Sequence, residues 1–156
     1  DVIAQGLSGF HPDGVAIQAG RLMLERLHEL ARQRVSFSLE TTLAAKSYAN
    51  WLRELQTSGY QSHILFLWLP SPEAAIARVA ERVARGGHNI PEETVRRRYW
   101  LGLRNLFNIY MPLVDTWSLF NNSRPQGYEM IATQTCGLPP RVIAPELWKS
   151  IKEQYS

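Results

Sequence analysis

Cysteine is nearly absent: Cys136 stands alone in 156 residues, so no disulfide can close within the chain, and neither a cysteine-rich zinc site nor a redox pair can be assembled. Long apolar runs are missing too. The longest, Ile64 to Leu69, has six residues, against about 20 for a helix that crosses a bilayer, so no membrane partner is expected. The first residue is Asp1 rather than Met, and no basic segment leads into an apolar one, so no secretory signal is visible. These absences point to a cytosolic (cytoplasmic) protein whose start lies upstream of Asp1. Across Arg78–Arg98 no aromatic residue is interleaved with the basic ones, which argues against a nucleic-acid partner despite a pI near 9.2.

What is present suits one globular domain. Hydrophobic residues make up 45% and charged residues 20%, in the range of packed rather than disordered chains. The positive charge is concentrated. Between Arg78 and Arg104 seven arginines stand against Glu81, Glu92 and Glu93, a local +4 in a chain whose total is +3. A patch of that size fits a phosphorylated small ligand at least as well as a polymer.

Periodicity gives the elements. Ile17, Leu24, Leu27 and Leu30 recur at helical spacing, which predicts a helix over about 13–33, with Pro12-Asp13 at its start. Val35, Phe37 and Leu39 alternate with Ser36 and Ser38, the pattern of a strand ending at Glu40-Thr41-Thr42. Tyr48, Trp51, Leu52 and Leu55 mark a second helix stopped at Ser58-Gly59. His63 to Leu69 is apolar almost throughout and reads as a strand buried on both faces, as in parallel sheets. Ser71-Pro72-Glu73 opens a helix to about Arg85, Gly86-Gly87 breaks it, and Pro91-Glu92-Glu93 starts another to about Tyr110. Trp117–Phe120 and Tyr128–Thr133 read as short strands, and a last helix follows Pro145. The expected class is α/β: a three-layer α/β/α arrangement about a parallel sheet, with a helical lid over about 78–104.

In such sheets ligands bind beyond the carboxyl ends of strands. Glu40-Thr41-Thr42 is the first candidate, because a carboxylate and two hydroxyls there can orient a substrate hydroxyl; the threonines could equally cap or turn the chain. Lys46 follows closely and joins Thr41 and Thr42 as a candidate substrate contact. Arg78, Arg82 and Arg85, at i, i+4 and i+7, form one ridge able to grip phosphate oxygens, or a solvated basic face. On the next helix Arg98 flanks the apolar stripe and can reach inward. Gly86-Gly87-His88-Asn89 joins the two helices like a hinge.

Asp1-Val2-Ile3-Ala4-Gln5-Gly6-Leu7-Ser8, Phe37-Ser38-Leu39-Glu40-Thr41-Thr42, Phe66-Leu67-Trp68-Leu69-Pro70 and Arg85-Gly86-Gly87-His88-Asn89-Ile90-Pro91-Glu92-Glu93, ending in Arg96-Arg97-Arg98-Tyr99, resemble the zeta-toxin-like P-loop kinases. Glu93 to Arg98 is also similar to the lid helix of adenylate kinases. The resemblance implies an enzyme that uses ATP and Mg2+ to phosphorylate a hydroxyl of a small molecule; the zeta toxins proper act on UDP-N-acetylglucosamine and are neutralised by an antitoxin protein. It places the base on Asp1, acceptor or metal contacts on Glu40, and phosphate contacts on Arg82 or Arg85, His88 and Arg98; many members have arginine where His88 stands. The family's Gly-x-x-x-x-Gly-Lys-Ser/Thr occurs nowhere in the chain. The resemblance therefore implies a first strand and P-loop of roughly 30 residues upstream of Asp1. A non-catalytic partner-binding relative, or a nucleic-acid module using the arginine patch, are the alternative readings.

Overall fold

The computed structural model describes residues 16–124 and 127–155, and the chain divides into two compact units, Asp1–Glu40 and Thr41–Ser156. In the first, helix α1 (Ala16–Arg32) buries Ala19 and Leu27 and carries an exposed Arg26–Glu29 pair at 2.6 Å. Its end is a Schellman stop. Arg34 takes a left-handed φ of 57°, its N–H donates to the Ala31 carbonyl, and the Val35 N–H returns to Leu30 at 3.2 Å.

Residues 35–40 belong to no helix or strand, contrary to the expected strand over 35–39. The two-residue period persists, since Phe37 and Leu39 are half-buried while Ser36 and Ser38 are exposed. The described sheet begins at His63.

The second unit carries that sheet. Helix α2 (Ser47–Thr57) ends where Gly59, at φ 87°, makes the same kind of stop, with Tyr60 N–H donating to Leu55. Strand β1 (His63–Trp68) follows, then helix α3 (Pro72–Ala84) and helix α4 (Glu92–Asn105). A wide π-type turn over Leu106–Tyr110 extends α4, with Met111 N–H reaching the Leu106 carbonyl at 2.8 Å. Strands β2 (Thr116–Asn121), β3 (Glu129–Thr135) and β4 (Arg141–Val142) and helix α5 (Pro145–Tyr155) complete it.

The class is α/β, as expected, with a mixed rather than wholly parallel sheet. Its order is β1-β2-β3-β4; β1 and β2 are parallel through the α3–α4 crossover, and β3 and β4 join antiparallel. One face meets the helices. Trp68, Trp117, Leu119 and Ala132 are buried with Leu103, Leu106 and Tyr110 from α4 and its π turn and with Ile151 and Tyr155 of α5. Each large side chain among them contributes about 1.5–3 kcal/mol by leaving water. Trp148 of α5 stacks on Trp117 at 5.5 Å, which fixes α5 to the sheet.

The other face corrects a second expectation. β1 is not buried on both sides: Leu65 is 75% and Leu67 51% exposed. β1 is the outer strand of this sheet, and within the unit the helices cover the face of Ile64, Phe66 and Trp68 alone. An apolar run therefore overstated the covering.

Candidate functional site

The parallel pair ends at Trp68 and Asn121, and the chemistry gathers beyond those ends. Asn122 N–H donates to the Trp68 carbonyl at 2.9 Å, tying the two strand ends together. Arg78 of α3 then donates to the Asn122 carbonyl at 3.1 Å, so the first ridge arginine is held at the mouth of the sheet. α3 starts there because Ser71 Oγ accepts from Ala74 N–H at 3.2 Å and Pro72 occupies the first turn. Tyr99 of α4 donates to the Leu69 carbonyl at 2.8 Å. Burial, with the Tyr155 hydroxyl 3.3 Å away, pushes the Tyr99 phenol well above its ordinary pKa, so it remains a donor.

Arg78, Arg82 and Arg85 line a groove of about 430 Å³ together with Glu81, Gly86 and Gly87. The glycine pair shapes one end of it. Gly86, at φ 87°, sits where a left-handed residue closes a Schellman stop; its N–H donates to Val83 and the Gly87 N–H to Arg82, both at 2.9 Å. A side chain at Gly87 would lie 2.6 Å from Arg82 Cγ. Arg82 also donates through Nη2 to the His88 carbonyl at 2.9 Å. The connection thus has a defined shape, held by backbone bonds and one guanidinium.

Glu81 and Arg85 form no salt bridge among the described residues, so the ridge keeps its positive charge. Across the helices Arg96 pairs with Glu73, whose carboxyl is held below its usual range chiefly by that hydrogen bond. Arg98 is exposed on α4 and free of ion pairs among the described residues.

The backbone of Thr42 is seated against α4. A Cβ added to Gly102 would run into the Thr42 carbonyl oxygen, so only glycine lets the loop lie this close. Asn105, 2% exposed, donates from Nδ2 to the carbonyls of Leu43 at 2.9 Å and Ala44 at 3.1 Å. The Tyr110 hydroxyl donates to the Ala45 carbonyl. Thr41 Oγ1 accepts from Leu43 N–H at 3.2 Å, and Leu43 takes a left-handed φ of 56°. Arg98 precedes Gly102 by four residues and shares its side of the helix, so α4 brings Arg98 and the Thr41-Thr42 loop to one flank.

Of the residues expected from sequence, Arg78, Arg82 and Arg85 share the groove, and Arg82 meets the backbone of His88. The Thr42 carbonyl meets α4 at Gly102, one turn after Arg98. Lys46 is exposed at the start of α2. Glu40, exposed, is the last residue of the first unit, and Asp1 lies outside the described residues. Gly102 and Asn105 were not singled out by sequence reasoning, and Tyr99 and Tyr110 were read only as part of the apolar stripe that also holds Val95 and Leu106. Their signal was available in part: Gly102 and Asn105 are poor helix formers in the middle of a helical stretch, and so have a reason other than helicity to be there.

The fold is an α/β domain with an arginine-lined groove near the carboxyl ends of its parallel strands. The chain belongs to the zeta toxin family, whose model matches residues 13–108. An uncharacterized protein of Haemophilus influenzae is 30% identical over 99 residues, which cover 64% of this chain and 71% of that protein. No solved structure matches the chain. Membership implies a P-loop-kinase-like, toxin-type activity and nucleotide binding. Among the described residues no helix is long and apolar enough to cross a membrane.

Proposed function

We propose that the intact protein is an ATP-dependent kinase that moves the γ-phosphoryl group to a hydroxyl of a small acceptor, a nucleotide sugar being one candidate class. The observation that carries this reading is the placing of Arg78 at the carboxyl ends of the parallel pair, held by the Asn122 carbonyl at 3.1 Å and continued by Arg82 and Arg85 along one groove. Phosphoryl transfer needs positive charge about the moving group and a carboxylate to orient the attacking oxygen. The arginines serve the first need, with Arg98 reaching the phosphates from α4. Thr41, Thr42 and Lys46 bind the acceptor.

In the transfer itself, the acceptor oxygen forms a bond to the γ-phosphorus, the bond from that phosphorus to the ADP oxygen breaks, and the hydroxyl proton passes to a carboxylate, assigned to Asp1. Mg2+ in such sites is held by one or two carboxylates and the substrate phosphates. Glu40 or Asp1 would be its protein ligand. When bound, the ion would neutralise phosphate charge.

The P-loop signature is not within these 156 residues, so the test uses the complete gene product. It is incubated with γ-labelled ATP, Mg2+ and UDP-N-acetylglucosamine, and in parallel with a small-molecule cell extract. Label in an acid-stable small molecule is the expected result; label retained only in ATP and free phosphate overturns the reading. The toxin-type reading also proposes an antitoxin partner, and growth arrest on expression of the gene, relieved by a co-expressed neighbouring gene product, is its expected sign.

A further inference from the structure

We propose that Gly102, Asn105 and Tyr110 are positioning residues for the acceptor side of the site, making α4 a single ruler that sets the Thr41–Lys46 loop against Arg98. The inference rests on the kinase reading above. Four consecutive carbonyls, from Thr42 to Ala45, are each addressed by α4 or its π turn: Thr42 by the space at Gly102, Leu43 and Ala44 by Asn105, Ala45 by the Tyr110 hydroxyl. A connecting loop ordinarily runs over the surface and is more mobile than the elements it joins. Here a buried amide at 2% exposure and a phenol at 0% are spent on a six-residue connection.

The π turn explains how one helix reaches so far along the loop. At about 100° per residue on an α-helix, Tyr110 would stand about 140° round from Asn105. The wider turn over Leu106–Tyr110 brings it back toward the same side. Such turns recur at functional sites, and this one gives the second donor its reach. With the loop's backbone fixed, the side chains of Thr41, Thr42 and Lys46 keep a set distance from Arg98, one turn before Gly102 on the same helix. The acceptor and the arginine that contacts the transferred phosphate are thereby held by one rigid element.

The experiment compares Tyr110→Phe and Gly102→Ala with the parent in the complete gene product, with ATP and UDP-N-acetylglucosamine as the probe substrates. The phenylalanine variant keeps the ring in the core and loses only the bond to Ala45. The expected result is an acceptor KM raised by about 10-fold, a loss on the order of one hydrogen bond, while the ATP KM stays within about 2-fold of the parent. Amide exchange over residues 42–46 should rise while that over β1 and β2 is unchanged. Equal changes in both KM values, or no change in the acceptor KM, would overturn the inference. Should Gly102→Ala fail to fold, the phenylalanine variant alone decides. If the parent transfers no phosphate to the probe acceptor while active on another component of the extract, that component replaces it; if the parent transfers none at all, the kinase reading fails and this inference falls with it.

Discussion

Replacing Asn105 by aspartate tests the loop anchor with almost no change of shape. The amide is 2% exposed and donates two bonds, at 2.9 and 3.1 Å, to two carbonyl oxygens. An ionised carboxylate donates neither and would face both oxygens with its own charge; a protonated one donates to one of them. The charged form is therefore disfavoured in the folded state, and the folded pKa is raised above the value of about 3.9 in the unfolded chain. Between those two values the folded state holds a proton that the unfolded state has lost, so stability falls as pH rises, by about 1.4 kcal/mol per pH unit. Below about pH 3.9 the variant lacks roughly one hydrogen bond, about 1 kcal/mol. At about pH 6, with the folded pKa above that, the deficit reaches about 4 kcal/mol, or a Tm lower by about 8–16 °C for a chain of this size.

All five tryptophans lie in the Thr41–Ser156 unit, so thermal unfolding followed by tryptophan fluorescence reports on that unit. The quantity to measure is the variant-minus-parent difference at about pH 4 and about pH 6. Asn105→Ala is the control, with a deficit of similar size at the higher pH and no added slope. A difference for Asn105→Asp that stays flat across this range would show that the amide is not a donor held in a dry pocket.

Other outcomes follow from the same geometry. Asp115 Oδ2 accepts from Ser62 N–H at 2.6 Å and Ser62 Oγ at 2.9 Å, and the backbone bond is the main reason its carboxyl lies below the ordinary 3.8. Its stabilisation is present above that value and lost as pH falls through the folded pKa, so the stability gap between the parent and Asp115→Asn should narrow in acid; a gap that widens on acidification contradicts this. Gly87→Ala places a Cβ 2.9 Å from the Arg82 carbonyl that the Gly87 N–H now bonds. The expected cost is about 1–2 kcal/mol, with faster amide exchange at 85–89; unchanged exchange counts against the close approach. Arg98→Ala in the complete protein should raise the ATP requirement or lower turnover while stability stays within about 0.5 kcal/mol. Kinetics equal to the parent's would remove Arg98 from the mechanism.

Local punctuation was legible wherever it acts through backbone chemistry. Ser71-Pro72-Glu73 starts α3, Gly59 and Gly86 stop α2 and α3, and the apolar stripe through Val95, Leu106 and Tyr110 faces the core. The arginine ridge was also readable, because i, i+4 and i+7 spacing fixes one side of a helix whatever surrounds it. What failed depended on neighbours. β1 has a buried strand's composition, yet Leu65 and Leu67 on one face are exposed, since periodicity does not say what lies alongside. The anchoring of Thr42–Ala45 by α4 joins residues about 60 positions apart. No local pattern encodes such a pairing, although the glycine and asparagine inside a helical stretch were its trace.

The π turn over Leu106–Tyr110 also bears on how this chain can vary. A helix wound with a surplus residue can be returned to regular pitch by removing one position between Asn105 and Tyr110: four steps of about 100° complete roughly the turn that five now make, so everything after it keeps its facing. Such a shortened chain would hold β2 in register with β1. Length at this turn is accordingly more negotiable than in the regular part of α4, where a deletion would swing all that follows by about 100° about the axis.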